Sequence, residues 1–208
     1  MKKAFTLIEF LIVIIVIGVL AAAILPRTRS NSLQEGAMEF ISAIKYTQHL
    51  AMISDKYDPT DPTWYQERWQ FLYGKSNDTN QKFAISIFSD FVGTHSGHPD
   101  PVEIAVNPLN TTQLMSGGFS GTLNWEDANA TRRLNLGETY GITNITRTTS
   151  CGAGRISFDN KGRPFTGDSS NWNSSTENAL RIQCKFTIFK DSESIDVFIE
   201  PETGYIHL

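Results

Sequence analysis

An unbroken apolar run at the N-terminus constrains this chain more than any other feature. After Lys2, Lys3 and Ala4, everything from Phe5 to Leu25 is apolar except Thr6 and Glu9, and the run stops at Pro26 and Arg27. As a helix rising ~1.5 Å per residue it would reach roughly 30 Å, the thickness of a bilayer's hydrocarbon core. The two leading lysines place residues 1–4 in the cytoplasm and the chain beyond Arg27 outside it. Arg27 and Arg29 weaken that bias without reversing it.

Glu9 is the anomaly in the run. A carboxylate within a membrane span costs about 2.5–3.5 kcal/mol on insertion scales and marks a function with a nameable partner. Cleavage after Ala4 would free an α-amine on Phe5, one helical turn away. Among parallel helices, Glu9 of one subunit could pair with that amine on its neighbour, so that the cost is recovered on assembly. The plainer alternative is a side chain that snorkels to the inner headgroups. An ordinary secretory leader cut near Ala21-Ala22-Ala23 is a further alternative, against which stand the charge in its apolar core and the closely following Pro26.

Lys2-Lys3-Ala4-Phe5-Thr6-Leu7-Ile8-Glu9 resembles the class III signal of type IV pilins and type II secretion pseudopilins. The resemblance implies that a prepilin peptidase cuts between Ala4 and Phe5 and that Phe5 is then N-methylated. It makes Glu9 the assembly carboxylate, and it aligns Gly18 and Pro26 with the helix-loosening glycine and proline of many members. Ala4 departs from the glycine that most members carry. The implied partners are other pilin or pseudopilin subunits, the prepilin peptidase and the inner membrane, with a secreted protein or DNA as further candidates at a fibre tip. The implied location is the inner membrane, single-pass, with the outer domain in the periplasm, and the pilus or pseudopilus after assembly.

Of the 208 residues 40% are hydrophobic, enough for one span and one globular domain with its own core. Formal charge is −4. Loss of Lys2 and Lys3 with the leader would leave 16 basic against 22 acidic residues, net −6, which argues against a general phosphate-binding surface. Both cysteines, Cys151 and Cys184, lie in the outer part. Oxidising conditions there favour a disulfide over two free thiols.

Residues 28–57 continue the helix as an amphipathic half. Leu33, Ala37, Phe40, Ile44, Thr47 and Ala51 recur at steps of three and four, with Ile41, Leu50 and Ile53 widening the stripe. Gln34, Glu35, Glu39, Lys45 and Gln48 fill the other side. Pro26 removes a helical hydrogen bond, so a kink is expected near Gly18 and Pro26. Asp58-Pro59 and Asp61-Pro62 stop the helix. The aromatics Trp64, Tyr65, Trp69, Phe71 and Tyr73 then read as core or helix-docking contacts, with a carbohydrate or partner platform as the alternative.

Beyond them the period changes to two. Phe83, Ile85 and Ile87 form one alternating set, followed by Val102, Ile104 and Val106, then Ile156 and Phe158, then Ile182 to Ile188, then Ile195 to Ile199. Short strands between Gly, Pro, Asn and Asp clusters predict an antiparallel sandwich or strongly curved sheet. Turns at Asp191-Ser-Glu-Ser194 and Pro201-Glu-Thr-Gly204 make the last three strands a meander. Residues 107–149 and 161–178, rich in Asn, Thr, Ser and Gly, read as long surface loops.

A second resemblance joins the spine helix to this half. The helical stretch from Phe40 to Ser54, the segment Arg155-Ile-Ser-Phe-Asp-Asn-Lys-Gly162-Arg163-Pro164, then Arg181-Ile-Gln-Cys-Lys-Phe186, and Ile199-Glu-Pro-Glu-Thr-Gly-Tyr-Ile206 are similar to H-type minor pseudopilins, the FimT-like group. In these segments Gly162 permits a turn, Pro164 fixes its exit and Gly204 ends a hairpin.

Catalytic motifs are missing from the sequence: there is no phosphate loop, no Gly-x-Ser-x-Gly and no His-Glu-x-x-His. No enzyme activity, cofactor or metal is assigned. Weaker patterns read as turn or surface residues first and as sites second: His95 with His98 for a metal, Asp58 with Asp61 or Asp168 with Asn171 and Asn173 for calcium, Arg132, Arg133 and Arg147 for DNA, and Asn129-Ala-Thr131 for a glycan. The expectation is an α+β protein. It has a leader at 1–4, a transmembrane and assembly helix at 5–27, an amphipathic half at 28–57, and an extracytoplasmic β-rich domain at 58–208. The implied role is a structural minor pseudopilin of type II secretion. The alternative is a minor type IV pilin acting in pilus priming, adhesion or DNA uptake.

Overall fold

The computed structural model describes residues 7–24 and 31–208. These fall into two units, Met1–Asn31 and Ser32–Leu208. Within the first, α1 runs Leu7–Ile24. Within the second, α2 (Ser32–Ile53) packs on two antiparallel sheets, giving an α+β fold.

The stripe read from the sequence explains α2. Leu33, Ala37, Phe40, Ile41, Ile44, Thr47 and Ala51 are buried, together with Gly36 and Ala43. Gly36 brings the helix close to the short α3 (Leu136–Tyr140): a Cβ there would lie 3.1 Å from Ile142 Cδ1 and 3.2 Å from Tyr140 Cβ. The helix ends at Ile53 rather than near residue 57, and Ile53 is exposed rather than part of the stripe. Ser54 N donates to Leu50 O, after which the chain leaves helical geometry ahead of Pro59.

The first sheet has the order β2-β1-β4-β5, with β1 Trp69–Gly74, β2 Ala84–Ser89, β4 Arg155–Phe158 and β5 Pro164–Thr166. The second has the order β3-β6-β7-β8, with β3 Asn144–Arg147, β6 Cys184–Lys190, β7 Glu193–Ile199 and β8 Ile206–His207. All strand pairs are antiparallel, and β6, β7 and β8 form the expected meander. The β6–β7 turn is tighter than predicted, because Lys190 already pairs with Glu193 and Asp191 takes a left-handed φ of 53°. Phe40 joins helix and sheets: its ring lies 5.0 Å from Phe71 on β1 and 5.2 Å from Phe186 on β6, both edge-on. The aromatic connector therefore supplies core, with Tyr65, Phe71 and Tyr73 buried.

Two predictions fail in the middle of the chain. Val102, Ile104 and Val106 form no strand; Ile104 and Val106 each make one isolated bridge, to Phe88 and Leu114, and Val102 is exposed. Residues 107–149 are a surface loop only in part, exposed at 108–112 and 126–129. Met115, Leu123, Ala130, Leu134, Leu136, Ile142 and Ile145 are buried in the same stretch, and Ser116 and Asn135 bridge to β2. This layer covers β2, so all six of its residues are buried and Ser86 Oγ sits 2.7 Å from Ser116 Oγ. The second predicted loop, 161–178, likewise contains β5 and the buried Trp172.

Both resemblance-derived turns meet α2 at one side chain. Gly162 (φ +76°) lies in the β4–β5 turn and Gly204 (φ +61°) in the β7–β8 turn. Gln48 Nε2 donates to Gly162 O at 2.8 Å and to Thr203 O and Gly204 O at 3.3 Å each. A Cβ at Gly204 would lie 2.5 Å from Gly162 O. One amide thus joins the helix to a turn of each sheet.

Candidate assembly site

Of the two residues expected to act in assembly, Glu9 lies in α1 and Phe5 lies outside the described residues. Its 18 residues at ~1.5 Å each reach about 27 Å, short of the roughly 30 Å of hydrocarbon. Among the described residues no helix is long and apolar enough to cross a membrane. The longer run predicted from Phe5 to Leu25 includes residues outside the described ones. The large apolar side chains of α1 from Leu7 to Leu20 are all exposed, from 46% at Val13 to 84% at Leu7. Apolar residues occupy every side of this helix, so it has no polar face to give to water.

Glu9 sits in the first turn of α1 and is exposed. Ala4 and Phe5, the predicted cleavage pair, lie outside the described residues, as does Pro26. Helix α1 continues without a break through Gly18, where an added Cβ would meet nothing within 4 Å.

In the second unit Cys151 and Cys184 are bonded, with Cα atoms 4.9 Å apart and a sequence separation of 33. The bond ties the turn after β3 to the start of β6, and both residues are fully buried.

The other candidate residues of the outer part are engaged within the fold. His95 and His98 separate: His95 Nδ1 lies 2.7 Å from the Asp90 carbonyl, a contact in which the nitrogen must carry the proton, while His98 faces Phe119. His95 instead joins Asp61 and Glu67, whose ligand atoms all lie within 4.8 Å of one another and are the kind that could hold a cation. Burial pushes the Glu67 carboxyl up, whereas hydrogen bonds from Thr63 hold Asp61 down. Asp58 and Asp61 each accept from the threonine two residues on, as turn-formers do. Asp168 accepts from the buried Arg155 at 2.8 Å.

Arg133 pairs with Glu39 on α2 at 3.0 Å, and Arg147 donates to Gly152 O at 2.7 Å, so each is engaged within the fold. Burial raises the Glu39 carboxyl, an effect that Arg133 opposes. Asn129 is exposed but Thr131 is buried, its hydroxyl donating to Leu114 O. Sequence reading missed the centre of the segment following β2. Asp90 and Glu103 are buried there, and Glu103 accepts from Val92 N and Asp100 N. The signal was two acids flanking a Gly/Pro-rich stretch, which alone does not reveal burial.

Residues 1–25 match the prokaryotic N-terminal methylation motif. The match supports a type IV pilin-like protein and implies processing by a prepilin peptidase, membrane anchoring and assembly with other pilin subunits. No curated protein and no solved structure matches the chain.

Proposed function

We propose that the chain is a non-enzymatic structural subunit, a minor pseudopilin of the H type working in a type II secretion pseudopilus. The observation that carries this reading is the methylation motif running into a helix apolar on every side except for Glu9 in its first turn. In the proposed sequence of events the run from Phe5 to Leu25 anchors the chain in the inner membrane and the β-rich unit faces the periplasm. Removal of residues 1–4 frees the Phe5 amine, which is methylated. Glu9 of one protomer then pairs with that amine on the next, in a low-dielectric surround where an opposite charge offsets desolvation. The exposed apolar faces of α1 pack against neighbouring copies while this pair sets their register.

Replacing Glu9 with leucine tests the mechanism. The variant should insert and be processed normally, yet fail to enter sheared filaments. Normal incorporation would sink the pairing. Mass spectrometry of the mature protein should find N-methyl-Phe5, whereas retention of Met1 would refute the processing step. Secretion of a reporter exoprotein in a deletion strain separates the secretion role from a role in pilus priming.

A further inference from the structure

Beyond the C-terminal end of α2 the chain encloses a cleft of about 230 Å³, bounded chiefly by Lys56, Trp64, Arg68, Trp69, Lys161 and Arg163. Its lining carries four cations against two acids, Asp55 and Asp159, a net +2 on a chain of net −4. Asp159 is already occupied, accepting from Arg163 Nε at 2.7 Å and from the backbone amides of Lys161 and Arg163. The cleft is therefore a local reversal of sign, which concentrates anions.

Arg68 is the unusual member. It is 5% exposed and has no ion pair among the described residues. One nitrogen, Nη2, donates to Ser175 O at 2.8 Å, while Nε and Nη1 are buried with no acceptor among the described residues. The guanidinium lies 4.2 Å over Phe165, with Trp64 at 5.2 Å. Burial lowers its pKa to about 10, which leaves it charged at neutral pH. Trp69, a second wall, also has its indole Nε1 buried without an acceptor among the described residues. An apolar side chain would fill the space among these rings with no desolvation penalty. A buried cation with donors left over is what a site for an incoming acceptor requires.

We propose that this cleft binds a small oxyanion, a carboxylate or a phosphate, seated against Arg68 and Trp69 Nε1 with Lys161 at the rim. The volume lies below the ~300–1,000 Å³ of drug-sized pockets, so it suits a single headgroup, sugar acid or side chain rather than a long ligand. Trp64 and Trp69 give such a group flat apolar walls. This site does not depend on the assembly reading, since none of its residues lies in α1.

The test uses the full chain in detergent micelles, ¹⁵N-labelled at arginine and tryptophan. It is titrated with inorganic phosphate, glucuronate, neutral glucose and chloride at matched ionic strength. Saturable shifts of the Arg68 Nε and Trp69 Nε1 signals with phosphate, glucuronate or both are the expected result, and the anion that acts identifies the chemistry. No saturable shift with either, or an equal response to glucose or chloride, overturns the proposal. Arg68→Met should abolish the response. Should that variant not fold, Lys161→Ala, at an exposed position, keeps the test open. It should weaken binding about two- to fivefold, the size of an exposed charge pair, and unchanged affinity would place the anion elsewhere and overturn this site.

Discussion

Two helices of this chain solve the problem of apolar surface in opposite ways. α2 carries its apolar residues on one stripe and buries them, while α1 carries them all round and leaves those from Leu7 to Leu20 exposed. The first pattern is a complete instruction, because the same chain supplies the sheets that cover it. The second needs an apolar surround from outside, a bilayer or other copies of the helix. The difference is legible in the polar residues. α2 has Gln34, Glu35, Lys45 and His49 for water to meet, whereas α1 has Glu9 alone.

The contrast can be broken most directly with matched truncations. Phe40→Ala on α2 should cost the globular unit about 3–5 kcal/mol, the range for a buried phenylalanine. Ile14→Ala on α1 should leave its denaturant midpoint unchanged. A comparable loss from Ile14→Ala would show that the globular unit depends on α1. Next in size is the disulfide. Replacing both Cys151 and Cys184 with serine should lower stability by about 3.5–4 kcal/mol on the chain-entropy model for a loop of this length, read from chemical denaturation. Gly204→Ala follows, combining left-handed backbone with a Cβ forced onto Gly162 O, and should cost about 1–3 kcal/mol. Gln48→Ala, which removes one amide from three carbonyls, should cost about 1–2 kcal/mol in the same assay.

The smallest expected effect is a pH dependence at the sheet edge. His207 Nε2 lies 3.0 Å from Glu200 Oε1, which raises the imidazole's pKa and, with Gln183, lowers the carboxyl's. The histidine's contribution is complete below its unfolded pKa and is lost as pH rises through the raised folded value. The glutamate's is complete above its unfolded pKa and is lost as pH falls through the lowered folded value. The pair therefore supports the fold best between the ordinary glutamate and histidine ranges. His207→Gln should flatten stability against pH on the alkaline side of that window. An unchanged profile would show that the contact contributes nothing measurable.

The sequence was most readable where one side chain's environment repeats along an element. Phe40 and Ile44 announce a buried helical stripe, and Phe186, Ile188, Val197 and Ile199 announce strands buried on one face. Legibility failed where burial comes from a distant cover. Ser86 breaks the apolar pattern of β2, yet it is buried because Ser116, thirty positions away, caps it. The covering layer touches β2 through single bridges such as Ser86–Ser116 and Ala84–Asn135, too short for any period to register. Arg68 shows the same limit for chemistry, since nothing near it in sequence says that Phe165 and Ser175 will enclose it. For the proposed assembly carboxylate the reverse holds. Glu9 is conspicuous in the sequence because it interrupts an otherwise apolar helix.

Gln48 has a mechanical consequence. Its carboxamide fastens the connection between β4 and β5 and that between β7 and β8 to a single point on the rod formed by α2. A load drawn along that rod therefore reaches both sheets together, and neither can shear past the other without first letting go of this shared rivet.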